Sequence, residues 1–376
     1  MMKVAKIFSV VVLLCVLFSF GATSLAITQE ELISRQTEAL HANQLEEAIP
    51  GGAQNLLGDT SLNNQGDFTQ GIQGLLQAGI GQLGGVFREA ARSAAIVIVI
   101  AMLTGIFHSL YPKEGDSGPN YVSILGVLAV SAAAIGTGNA FLGLGLRTMR
   151  ELETFSAALF PTIAIASTAA GGITSATVKY AGTVLFLDIL LTTSSRVIMP
   201  LIYAYIAASI GNAALGGDSL KAAANLLKWV TGILITTVMI SFMAYLTITG
   251  VVSGSADQVT TRVTRTAIST ALPVVGSIVS DAAETVLAGA AFVRNGIGVM
   301  GLLVILAICL VPLLQLGAHY LMFKAAAGLS QGMADKRIGD LISSFGTAFG
   351  MVMGLTGAGA MMLFFSIISM MRIVVT

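Results

Sequence analysis

Long apolar runs separated by short polar turns dominate the chain beyond residue 92, at about 93–111, 121–145, 154–172, 180–216, 229–252, 296–323 and 341–371. A helix rising about 1.5 Å per residue needs about 20 apolar residues to cross the hydrocarbon of a bilayer. The pattern therefore predicts an all-α, polytopic helical membrane protein with about 7–8 transmembrane or re-entrant helices over residues 93–376. The run from Tyr180 to Gly216 is too long for one ordinary span, and Asp188, Arg196 and Pro200 interrupt it. Pro200 has no backbone donor, and the hydroxyls of Ser194 and Ser195 stand where they can satisfy the carbonyls it frees. We read this run as a broken or hairpin element in the middle of the bundle. Charge in hydrocarbon costs about 2.5–3.5 kcal/mol per residue on insertion scales, so Asp188 and Arg196 should be buried in the bundle rather than face lipid. A hydrated pathway and a buried structural pair are both open for them.

Upstream the pattern changes twice. Lys3 and Lys6 precede the apolar run IFSVVVLLCVLFS, and Ser24-Leu25-Ala26 follows it, the order of a secretory signal peptide over residues 1–26, cut after Ala26. An uncleaved signal anchor is the alternative. Residues 27–67 carry Glu30, Glu31, Glu38, Glu46, Glu47, Asp59 and Asp67 against Arg35 alone, an acidic, water-exposed segment on the extracytoplasmic side. Within it Thr28 and Glu31 form a capping box for a helix to about Ala48, ended by Pro50-Gly51-Gly52. Over residues 68–92, Phe68, Ile72, Leu75, Leu76, Leu83 and Phe87 recur at helical spacing, an amphipathic stretch lying on the membrane surface or packed on the bundle.

Composition agrees with the pattern. Hydrophobic residues make up 55% and charged residues 10%, and the mean hydropathy is +0.87. That usage excludes an ordinary soluble domain. The zero net charge gives no reason to expect a nucleic-acid partner. Cys15 and Cys309 lie in separate apolar runs, and His41, His108 and His319 share no ligand spacing, so no metal, cofactor or enzyme constellation is expected. Gly346, Gly350 and Gly354 recur every fourth residue with Ala358 continuing the row, a small-xxx-small ridge that lets a neighbouring helix approach closely.

Positive charge does not orient the spans. With the N-terminus outside and every run crossing once, Lys113, Lys179, Lys221, Lys228, Lys324, Lys336 and Arg337 fall inside, while Arg88, Arg92, Arg147, Arg150, Arg196, Arg262, Arg265, Arg294 and Arg372 fall outside. Either some spans are re-entrant, or several arginines lie in the membrane rather than in loops. An internal repeat bears on this: AALFPTIA (157–164) resembles STALPVVG (269–276), and VIMPLI (197–202) resembles CLVPLL (309–314), both at an offset of 112 residues. Residues 154–252 and 266–371 would then be inverted repeats, a plan common among transporters.

From Gly254 to Gly301 the order Ala256-Asp257, Arg265-Thr266-Ala267, Leu272-Pro273-Val274-Val275-Gly276, Asp281-Ala282 and Thr285-Val286 resembles the stage III sporulation protein AE family. The ALFP of 158–161, the MPL of 199–201, the signal peptide and the acidic segment extend the resemblance. It departs at Ile268, where the family often has a basic residue. The resemblance implies a multi-pass protein of the mother-cell membrane facing the forespore in an endospore-forming bacterium. It also implies membership of a multiprotein secretion-like channel, with the lipid bilayer, an ATPase and ring-forming proteins of the stage III sporulation A complex around it. Against this channel subunit without chemistry of its own stands a self-sufficient secondary transporter, which the repeat and the intramembrane Asp188 and Arg196 would suit.

Overall fold

The computed structural model describes residues 45, 47–57, 68–110, 121–216, 218–271, 276–333 and 335–371, with the backbone alone for 68–70, 137–139, 218, 250–271, 276–287 and 333. Every element among them is helical: α1 (Gly51–Leu57), α2 (Phe68–Leu110), α3 (Tyr121–Ala169), α4 (Ile173–Thr193), a π-turn (Ser194–Ile198), α5 (Met199–Leu215), α6 (Asp218–Ala271), α7 (Gly276–Met333) and α8 (Lys336–Met371). Among the described residues six stretches are long and apolar enough to cross a membrane: Gly71–Leu110, Tyr121–Ala169, Ile173–Leu215, Ser219–Thr249, Ala288–Gly332 and Lys336–Met371. The signal peptide, most of the acidic segment and its capping box lie outside the described residues, as do the side chains of 254–287.

Three expected boundaries disappear. The spans drawn at 121–145 and 154–172 are one helix of 49 residues, roughly 74 Å long and far more than a bilayer's hydrocarbon. The polar segment from Arg147 to Glu153 does not break it, because Met149, Leu152, Phe155 and Leu159 stay buried at helical spacing through the charges. The amphipathic stretch 68–92 runs without a break into the first span as α2, and it packs on the bundle. Gly71 sits against Leu303 and Gly79 against Leu310, with a Cβ at Gly79 only 3.1 Å from Leu310 Cδ2. The run from Tyr180 to Gly216 is no hairpin. α4 and α5 continue one another through the π-turn, where the N–H of Met199 reaches back to the Ser194 carbonyl. Ser194 Oγ donates to the Leu190 carbonyl and Ser195 Oγ to the Leu191 carbonyl at 3.0 Å, so the hydroxyls bond the turn before the π-turn and not the Arg196 carbonyl that Pro200 leaves without its helical donor. At the N-terminal side, Pro50 opens a helix rather than only ending one: its carbonyl accepts from the N–H groups of Ala53 and Gln54 at 2.8 and 3.0 Å.

Close helix contacts set the packing. α7 and α8 are antiparallel, with Gly350 facing Tyr320, Gly346 facing Phe323, Gly317 facing Met353 and Gly301 facing Ile367. α3 runs parallel to α8, bringing Phe141 against Phe349 at 6.0 Å between ring centres. The turn from α3 to α4 uses Gly171 at φ 92°, and the turn from α5 to α6 uses Gly216 at φ 66°, conformations that favour glycine. One core joins α3, α5, α6, α7 and α8 around Phe141, Phe242, Phe323, Phe345 and Phe349. A second gathers Phe155, Phe160, Leu303, Ile308 and Leu363 with Ala53 and Leu57 of α1.

Candidate functional site

Asp188 and Arg196 lie on the outer surface of the α4–α5 helix and are both exposed, so the expectation of burial in the chain's own bundle is corrected. The inward face of α4 is already taken by Lys179, Gly182, Thr183, Leu187 and Leu190. Asp188 follows Leu187 by one residue, a turn of about 100°, and so points away from α8. On a continuous helix the eight residues from Asp188 to Arg196 separate them by about 12 Å, too far for a direct bond.

They do not stand alone. Met149, Leu152 and Leu190 all converge on Gly359, at 3.8, 3.8 and 3.7 Å from where its Cβ would lie. This contact brings the middle of α3 to the height of Asp188. Arg147, Arg150, Glu151 and Glu153 occupy that part of α3, all exposed. The six exposed side chains lie at about one height on two neighbouring helices, a charged belt in level only, with apolar helix above and below it. The belt is layered: on both helices the acids (Glu151, Glu153, Asp188) lie nearer the Ala170–Gly172 turn and the arginines (Arg147, Arg150, Arg196) farther from it.

The interior holds polar links that span assignment had hidden. Lys179, counted as a loop cation in sequence, is 6% exposed. Its Nζ donates to the Ser369 carbonyl at 2.7 Å, because α4 begins at Ile173 and carries it into the bundle. One turn further, Thr183 Oγ1 and Ser366 Oγ share a hydrogen bond of 2.9 Å. Tyr245 Oη of α6 donates to the Val178 carbonyl at 2.6 Å and covers Gly182. His319 is fully buried, stacked 3.8 Å from Phe141 between ring centres. Its Nδ1 donates to the Gln315 carbonyl at 2.9 Å, a packing arrangement inside the bundle.

The glycine ridge divides. Gly346 and Gly350 face Phe323, Lys324 and Tyr320 of α7, whereas a Cβ on Gly354 would meet nothing within 4 Å. The ridge is thus in part a contact within the chain. The undecided charge count also gains a physical cause: Arg88, Arg92, Arg147, Arg150 and Arg196 sit inside helices, not in loops.

Long helices with close glycine contacts and polar groups bonded across the bundle define a polytopic α-helical membrane protein. Its sequence matches the family model for stage III sporulation protein AE over residues 56–374, and the chain belongs to that family. It is similar to the stage III sporulation protein AE of Bacillus subtilis (strain 168), 19% identical over 236 residues, which cover 63% of this chain and 59% of the relative. No solved structure matches.

Proposed function

We propose that the chain is an integral membrane subunit of a multiprotein secretion-like channel between mother cell and forespore, required for endospore formation and without chemistry of its own. It acts in the mother-cell membrane facing the forespore, with its N-terminal segment extracytoplasmic. Its partners are the other subunits of the stage III sporulation A complex, including the ATPase and the ring-forming proteins. The charged belt of α3 and α4 carries this reading. Six exposed charges amid apolar helix are costly against lipid, so the belt faces water or polar protein. Its layering argues for water: two copies in one orientation meeting through this face would set acids against acids and arginines against arginines, which repels. Copies or partners arranged around a hydrated lumen would keep both layers solvated, as rings of charged side chains do in channels.

Replacing Asp188 by Asn and Arg196 by Gln tests the reading in sporulating cells. The variants should accumulate and co-purify with the complex while blocking passage into the forespore. Normal sporulation with both variants contradicts it. The reading of an autonomous transporter draws on the offset of 112 residues, which relates Pro200, beside the π-turn, to Pro312, inside α7. Purification as a lone species with substrate-dependent ion flux in liposomes would favour that alternative.

A further inference from the structure

Three helix connections meet at one end of the bundle. Gly126 of α3 sits against Thr104 of α2, which brings Leu110 and Tyr121 to that end together. Ser123 Oγ of α3 donates to Asp335 Oδ2 in the α7–α8 turn at 2.9 Å. The Arg337 guanidinium of α8 covers Gly216 in the α5–α6 turn, its Cζ 2.9 Å from where a glycine Cβ would lie. The helices α2, α4–α5 and α7 therefore run toward this end, and α3, α6 and α8 run away from it.

Basic residues mark the same end. Lys221 near the start of α6 and Lys336 and Arg337 at the start of α8 are exposed, and Lys228 and Lys324 lie a few turns farther in. At the opposite end the Ala170–Gly172 turn carries no charge, and the nearby Lys179 and Arg294 are only 6% and 5% exposed. The arginines at 88, 92, 147, 150 and 196 belong to neither end, since they stand in mid-helix. Near the span ends Lys113, Lys221, Lys228, Lys324, Lys336 and Arg337 thus stand against Arg262 and Arg265, on α6 beyond Thr249, and Arg372, which follows α8. Fold geometry resolves a count that the sequence alone leaves balanced.

We propose that the end where the three connections meet is the cytoplasmic face of the bundle, held against the anionic headgroups of that leaflet by Lys221, Lys336 and Arg337. Short connections rich in Lys and Arg stay inside, and acidic residues weigh little in that rule. Anionic lipid on the cytoplasmic side attracts basic residues that flank a span. A lipid surface, rather than an acidic protein, is the partner because apolar side chains adjoin the cations. Leu110, Tyr121 and Leu215 are 65%, 71% and 74% exposed, and Leu215 precedes the glycine that Arg337 covers. The N-terminal segment joins the bundle at the other end, where Leu45, Ile49, Ala53 and Leu57 share a core with Val293 and Ile297. Both that segment and the C-terminal end of α8 then emerge on the extracytoplasmic side. The inference rests on neither the charged belt nor the channel reading.

Two measurements on the full-length protein test it. In a Cys15→Ala, Cys309→Ala background, Ser219→Cys at the α5–α6 turn and Thr174→Cys at the α3–α4 turn place thiols at exposed positions of the two ends. A membrane-impermeant maleimide should label Ser219→Cys only in inside-out vesicles and Thr174→Cys only in right-side-out ones. The reverse pattern overturns the orientation. In nanodiscs, replacing part of the phosphatidylcholine by phosphatidylglycerol should raise the thermal midpoint of wild type, and less so at high salt. The triple variant Lys221→Gln, Lys336→Gln, Arg337→Gln should lose most of that rise. A wild-type midpoint indifferent to phosphatidylglycerol, or an undiminished rise in the triple variant, overturns the lipid surface as the partner.

Discussion

Glycine decides how near α7 and α8 come, and the three glycines of one row meet different surroundings. A Cβ at Gly350 would stand 3.0 Å from the ring of Tyr320, whereas Gly354 opens onto nothing within 4 Å. Gly350→Leu therefore overpacks the helix pair, at a cost of about 1–3 kcal/mol, and should lower the thermal midpoint in detergent. Gly354→Leu should leave that midpoint unchanged; equal effects of the two would refute this assignment. The four-residue spacing made the row legible in sequence, but the surroundings depend on how α7 follows α8 along its length. Lys179 was illegible for another reason. It lies just before an apolar run and so reads as a loop cation, whereas α4 starts six residues earlier, at Ile173, and buries it. Lys179→Met removes a charged donor to the Ser369 carbonyl, and denaturation in detergent should show a loss of about 1.5–3 kcal/mol. An unchanged midpoint would mean that this bond contributes nothing.

Elements proved longer than the hydropathy pattern suggests. The segment Arg147–Glu153 reads as a connection because it is charged. Yet arginine, methionine, leucine and glutamate are strong helix formers, and the apolar positions Met149, Leu152 and Phe155 keep their 3.6-residue rhythm through it. Helical period and local polarity disagreed there, and the period won because one side of α3 always has a core to face. Around Pro200 the expected break became a π-turn, since the proline is the second residue of α5, where its missing N–H costs least. The α4–α8 seam can be tested as a unit: in a double-mutant cycle of Thr183→Val and Ser366→Ala, the coupling should be about 0.5–1.5 kcal/mol. A coupling of zero would leave their 2.9 Å contact without energetic weight.

At the scale of the whole molecule, the failure of the positive-charge count and the charged belt have one origin. Arginines that a loop-based count assigns to one side of the membrane are spread along the helices, and three of them stand exposed at one height of α3 and α4 with three acids. The polytopic helical class was legible from composition and run length alone. The belt was not, because Asp188 and Arg196 acquire their neighbours only when the α3–α4 turn folds α3 back beside them. The most direct measurement is water access to the belt in the assembled complex. In a Cys309→Ala background, Glu151→Cys and Asp188→Cys should react with a membrane-impermeant maleimide in sporulating cells, while Leu103→Cys, on the exposed apolar face of α2, should not. Protection of both belt cysteines to the level of Leu103→Cys would contradict the hydrated conduit.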